Sequence, residues 1–157
     1  MLMEDVRPAR RAESIPATLW AIALLALAPF PVTALLFAYG PPDVSRPALT
    51  TLLVCSTAVL SFLGGVRWGL ETREPRPRWM RQAFSALCAV AAWVILLARG
   101  AAPDSWIIGG FLAAFLLQWL FDHHAPDAPS RYPALSTAVT VSACISLGLA
   151  LETAMRV

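Results

Sequence analysis

Five stretches of this chain carry no charged residue: 15–39, 47–66, 82–98, 105–121 and 132–151. Each holds 17 or more residues. A helix of about that length crosses a ~30 Å hydrocarbon core at ~1.5 Å per residue. In hydrocarbon no water satisfies a backbone amide, so an apolar stretch of this kind must pair its own backbone groups as a helix. The windows and their short links use nearly all of the 157 residues, leaving no room for a separate soluble domain. Composition points the same way: 58% of residues are apolar and 14% are charged, where a soluble domain has about a quarter charged.

The expected fold is therefore an all-α membrane protein, a bundle of five transmembrane helices. Their expected spans are about 15–39, 47–69, 79–98, 104–122 and 132–152. They form a single domain over 15–153 behind a tail at 1–14. The first window is longer than the ~7–15-residue core of a cleaved signal peptide, so it reads as a retained helix, with Arg10 and Arg11 as its basic flank.

The basic residues set an orientation. All twelve are arginines. Alternating the links between the two sides places Arg7, Arg10, Arg11, Arg67, Arg73, Arg76, Arg78, Arg81 and Arg131 together, with Arg46, Arg99 and Arg156 opposite. Positive charge is retained on the cytoplasmic side. The N-terminus is expected in the cytoplasm and the C-terminus outside. Trp20, Trp68, Trp79, Trp119 and Tyr132 fall near the cytoplasmic boundary, and Tyr39 and Trp106 near the outer one, as interfacial aromatics do. Trp93 lies mid-window and is expected to pack inside the bundle.

The segment Ser61-Phe62-Leu63-Gly64-Gly65-Val66-Arg67-Trp68-Gly69 puts glycines and an arginine at the end of an apolar run. Arg67 lies twenty residues beyond Pro47, about 30 Å along a helix. Its guanidinium is expected to snorkel to the cytoplasmic headgroups. Thr57, Ser61, Gly65 and Gly69 recur every four residues, and Ala134, Ala138, Ser142, Ser146 and Ala150 repeat the spacing later. Such small-residue stripes let helix backbones approach closely in lipid. Arg67 has two carboxylates at the same expected boundary: Glu71, one turn along its own helix, and Asp122, at the end of the fourth. The expected contact is Arg67 to Asp122, which would tie two helices together and give both a structural role. Pro29 and Pro31 interrupt the first helix, and a kink or short unwinding is expected there.

Reaction chemistry is hard to place. No acidic residue or histidine falls within a window, whereas proton relays and ion pathways need intramembrane ionisable groups. Cys55, Cys88 and Cys144 lie in separate windows with no paired spacing, which fits buried free thiols better than a disulfide framework or a zinc site. Asp122-His123-His124 is the densest polar cluster. Adjacent histidines point apart and the chain has no third, so a solvated loop is the better reading than a metal site. No catalytic residue, metal or cofactor is assigned, and the dispersed arginines argue against a nucleic-acid partner.

The segment from Ser61 to Gly69 resembles the signature of the transmembrane-protein-69-like family, known in bacteria as a domain of unknown function. Ala28-Pro29-Phe30 resembles that family's first-helix pattern, and Asp122 followed by a link with Tyr132 is similar to its fourth-helix end. The resemblance implies a small multi-helix protein of a bacterial inner membrane or of mitochondria, and no activity. It marks Pro29, Phe30, Ser61, Gly64, Gly65, Arg67, Trp68, Gly69 and Asp122 as structural or functional positions. The tryptophan-rich sensory proteins have a similar size and helix count, but their Trp-x-Pro-Pro motif is absent. The expected role is that of a non-enzymatic membrane protein, an accessory or assembly factor whose partners are the lipid bilayer and other membrane proteins. The alternative is a binder or carrier of a small apolar molecule, lipid or quinone-like, in a cavity beside the helix-one kink.

Overall fold

The computed structural model describes residue 25 and residues 27–72, 78–124 and 132–156. Among these, five helices follow one another: α1 Pro29–Tyr39, α2 Pro42–Glu71, α3 Trp79–Leu97, α4 Asp104–His123 and α5 Tyr132–Arg156. Helices α2, α3 and α4, together with Ala134–Arg156 of α5, are long and apolar enough to cross a membrane, while α1 is a shorter apolar helix. The tail at 1–14 and the start of the first expected helix lie outside the described residues.

Local chemistry sets several boundaries. Helix α1 begins with Pro29 in its first turn, where a missing N–H costs nothing. Ala28 just before it keeps α-helical backbone angles, φ −53° and ψ −38°, so the chain shows no unwinding at the residue that precedes the prolines. The Thr33 hydroxyl donates to the Pro29 carbonyl at 2.6 Å, a back-bond that tends to bend a helix. Helix α2 starts at Pro42, ahead of the expected Pro47. Pro42 fills the first turn and Asp43 follows it, favourable against the positive end of the helix dipole. The Ser45 hydroxyl reaches back to the Phe37 carbonyl at 2.9 Å, tying α2 to α1. Gly100, at φ 98°, makes the turn from α3 to α4, a conformation that favours glycine.

The helices pack in chain order around a ring, with α1 closing against α5 and α2 touching α4 across the middle. Phe30, Leu52, Leu53, Leu60, Ile108, Phe111, Phe115 and Leu147 fill the centre. Phe30 is fully buried and meets Phe115 edge-on, with centroids 6.2 Å apart. It sits between Pro29 and Pro31, on the inner side of α1.

Helix α3 reverses the pattern of a soluble helix. Leu87, Val90, Trp93, Val94 and Leu97 all point outward, while Ser85, Cys88 and Ala92 face the bundle. Large apolar side chains outside and small ones inside suit a hydrocarbon solvent, in which helices associate through close packing. Trp93, expected inside, belongs to this outer face.

The close approach of α2 and α3 occurs at Gly64, and here the small-residue expectation is corrected. A Cβ on Gly64 would lie 2.7 Å from the Ser85 carbonyl oxygen. A Cβ on Gly65 or Gly69 would meet nothing within 4 Å. The reason is rotational. At 3.6 residues per turn, a strict four-residue repeat drifts about 40° per step. Thr57 is buried, Ser61 half-buried, and Gly65 and Gly69 are exposed. The stripe walks out of the bundle, while Leu60, Leu63, Gly64, Arg67 and Glu71 remain inside.

Candidate functional site

That inward face carries α2's charges into the protein. Arg67 is 2% exposed and Glu71 5%. Asp122 of α4, 3% exposed, lies at the same end of the bundle, where α2 and α4 finish and α3 and α5 begin, but the expected Arg67–Asp122 pair is not among the ion pairs formed between described residues. Three buried ionisable groups on two helices make this end unlike the rest of the molecule.

Glu71 joins α2 to the start of α3. One carboxylate oxygen accepts the Arg78 backbone N–H at 2.9 Å, and the other lies 3.9 Å from Arg81 Nη1. Arg78 is the N-cap of α3. The carboxylate thus stands at a helix N-terminus, where the dipole and the unpaired N–H groups favour an anion. That geometry, rather than the i,i+4 spacing to Arg67, decides its partner.

Asp122 joins α4 to α5. Gln118 Nε2 donates to its Oδ1 at 3.3 Å, and the Ser136 hydroxyl donates to its Oδ2 at 3.1 Å. Beside this pair, Trp119 Nε1 donates to the Thr137 hydroxyl at 3.0 Å, and the Trp119 ring stacks on His123 at 5.2 Å. Trp119, Asp122, His123, Ser136 and Thr137 line a shallow recess between the two helices. Buried carboxylates are tolerated when their oxygens are hydrogen-bonded, and both oxygens of Asp122 are.

Arg67 is held differently. Its Cζ lies 5.8 Å from the Phe121 ring centroid, and Phe121 stacks on Phe84 of α3 at 4.1 Å. Cation–π attraction is the contact made. Its buried Nε has no hydrogen-bond partner among the described residues. The ion pairs formed between described residues are Arg81–Glu71 and Arg156–Glu152, and Arg67 enters neither. Arg67 therefore does not extend along the outer face of α2 as snorkelling expects; it is buried at the end of the bundle, against Phe121 of α4. Gln118 Oε1 and the Thr140 hydroxyl are likewise buried without partners.

The remaining sequence-marked residues separate. Pro29 and Phe30 sit at the start of α1, with Phe30 in the core. Gly64 makes the α2–α3 contact. Ser61 is half-buried with an unpartnered hydroxyl. Gly65, Trp68 and Gly69 face outward. His123 and His124 are exposed, and no group of three metal-ligating side chains forms among the described residues. Glu71 was marked by the sequence only as a neighbour of Arg67, and the roles of Arg81, Gln118 and Ser136 at this end were not marked. Their signal was helical spacing: Glu71 follows Arg67 by four, and Gln118 precedes Asp122 by four.

Outward-facing apolar helices around a packed interior define a multi-pass, membrane-embedded helical protein. Its sequence matches the model of a family described as a protein of unknown function, DUF3429, over residues 15–152. The chain belongs to that family. It is also 32% identical over 125 residues to transmembrane protein 69 of Xenopus tropicalis, an alignment covering 68% of this chain and 47% of that protein. The chain thus spans about half the length of the curated relative it matches. No solved structure matches it significantly.

Proposed function

We propose that this protein is a non-enzymatic component of a bacterial inner membrane that acts by packing against other membrane proteins, as an accessory or assembly factor. The observation that supports this reading is the outward ridge of α2. Gly65 and Gly69 leave open space beside the helix backbone, flanked by the exposed Phe62 and Trp68. Exposed glycines on a membrane helix offer a second helix the close backbone approach that drives association in lipid. Within this chain that space has no occupant among the described residues.

The test is purification of the native-level protein from its own membranes in a mild detergent, followed by mass spectrometry of what remains bound. Stable protein partners that are lost in Gly65→Leu, with the fold intact by circular dichroism, support the reading. A wild-type protein that purifies without protein partners ends it. Retention of a lipid or quinone instead would favour the alternative of a small-molecule carrier. That alternative needs space beside Pro29 and Pro31, where Phe30 is packed against Phe115.

A further inference from the structure

We propose that Arg67 is the recognition group of a binding site for a phosphate-bearing ligand at the α2–α4 end of the bundle. The starting observation is an imbalance of donors and acceptors. A guanidinium has five N–H donors in a rigid fork. Arg67 is 98% buried by its 2% exposure, its Nε has no partner among the described residues, and an aromatic face 5.8 Å away is its described contact. The neighbouring carboxylates are engaged by other donors. Glu71 takes the Arg78 N–H and Arg81; Asp122 takes Gln118 and Ser136. What this site lacks is an acceptor-rich group, and phosphate oxygens suit a guanidinium fork better than any neutral acceptor.

The surroundings favour an anion. Among the described residues of this end, Arg67, Arg78 and Arg81 stand against the two carboxylates of Glu71 and Asp122. The opposite end, at 40–46, 99–104 and 152–156, balances three arginines with three carboxylates. Depth agrees as well. Arg67 sits one turn before the end of a 30-residue helix, near the level at which headgroup phosphates meet a bundle of this height. The Phe84–Phe121 stack closes one side of the guanidinium with apolar surface, which strengthens a charge-assisted hydrogen bond made there. A phosphodiester of a lipid headgroup and a free phosphate share this chemistry.

The experiment uses the full chain purified in a neutral maltoside, with three probes: dihexanoyl phosphatidylglycerol, dihexanoylglycerol without the phosphate, and inorganic phosphate. The readouts are the thermal unfolding midpoint against probe concentration and retained mass in native mass spectrometry. Phosphatidylglycerol should raise the midpoint of wild type while dihexanoylglycerol should not. Arg67→Gln should weaken the apparent affinity about tenfold or more, as expected on losing a charge-assisted pair. Arg67→Lys should fall between, because it keeps the charge and loses the fork. Arg46→Gln, exposed at the opposite end, should behave as wild type. Stabilisation by inorganic phosphate equal to that by phosphatidylglycerol also supports the site and identifies free phosphate as the source. Equal effects of dihexanoylglycerol and phosphatidylglycerol overturn the proposal, as does unchanged binding in Arg67→Gln. Should Arg67→Gln fail to fold, wild type alone decides, since the absence of any phosphate-dependent shift is fatal to the site.

Discussion

Gly64 of α2 and Ser85 of α3 mark a close approach of two helix backbones: a Cβ on the glycine would stand 2.7 Å from the serine carbonyl oxygen. That oxygen belongs to a helix backbone and cannot swing aside. Gly64→Leu should therefore lower thermal stability in detergent by about 1–3 kcal/mol, the usual cost of overpacking, and Gly64→Ala should already be measurable. Gly65→Leu, one residue on but facing open space, should leave the stability of the isolated protein close to that of the parent. Equal losses at the two positions would mean that the rotation of α2 is wrong.

Asp122, Gln118 and Ser136 form one hydrogen-bonded unit across α4 and α5. Asp122→Ala strands two buried donors, whereas Ser136→Ala removes one donor and leaves the carboxylate held by Gln118. The first should cost more, with a double-mutant coupling of about 0.5–3 kcal/mol. Additive losses in unfolding measurements would show that the two side chains do not share an interaction.

Four long helices were legible because charge-free windows of sufficient length have one solution in a bilayer. Which face of each helix turns inward was not. In a soluble helix the apolar side is the buried side, but lipid removes that contrast: Leu87, Val90 and Val94 face outward as readily as Leu52 and Leu60 face inward. The small-residue stripe of α2 misled for this reason, since spacing alone does not say which neighbour exists. Asp122 was legible as a lone carboxylate ending an apolar window. Its partners were not, because Ser136 reaches it through the relative rotation of α4 and α5, which no local pattern in either helix records.

Glu71 links the end of α2 to the N-terminus of α3 through the Arg78 N–H and Arg81. Glu71→Gln keeps an acceptor for the amide and loses the negative charge; Glu71→Ala loses both. Stability should fall in that order, by about 1–3 kcal/mol for the alanine. The gap between wild type and Glu71→Gln, which reports the charge, should shrink in high salt only slightly, because Glu71 is buried and screening acts mainly on exposed pairs. A gap abolished by salt would place the carboxylate at the surface.

The last expectation concerns which side each end occupies. Helix α1 as described runs from Pro29 to Tyr39, 11 residues, or about 16 Å of helix. Alone it is too short to span ~30 Å of hydrocarbon. A helical extension through residues 15–28, which carry no charge, would supply the missing length. The bundle would then cross the membrane an odd number of times, with its ends on opposite sides. The nine arginines grouped with the N-terminus in the sequence would place that end in the cytoplasm. Reporter fusions after Arg11 and after Val157 should read cytoplasmic and periplasmic in turn. If both read cytoplasmic, the segment up to Tyr39 does not cross, and four spans from α2 to α5 remain. The end holding Arg67, Glu71 and Asp122 would then face the periplasm, against the arginine asymmetry, and the phosphate probe for Arg67 would have to be drawn from the opposite leaflet.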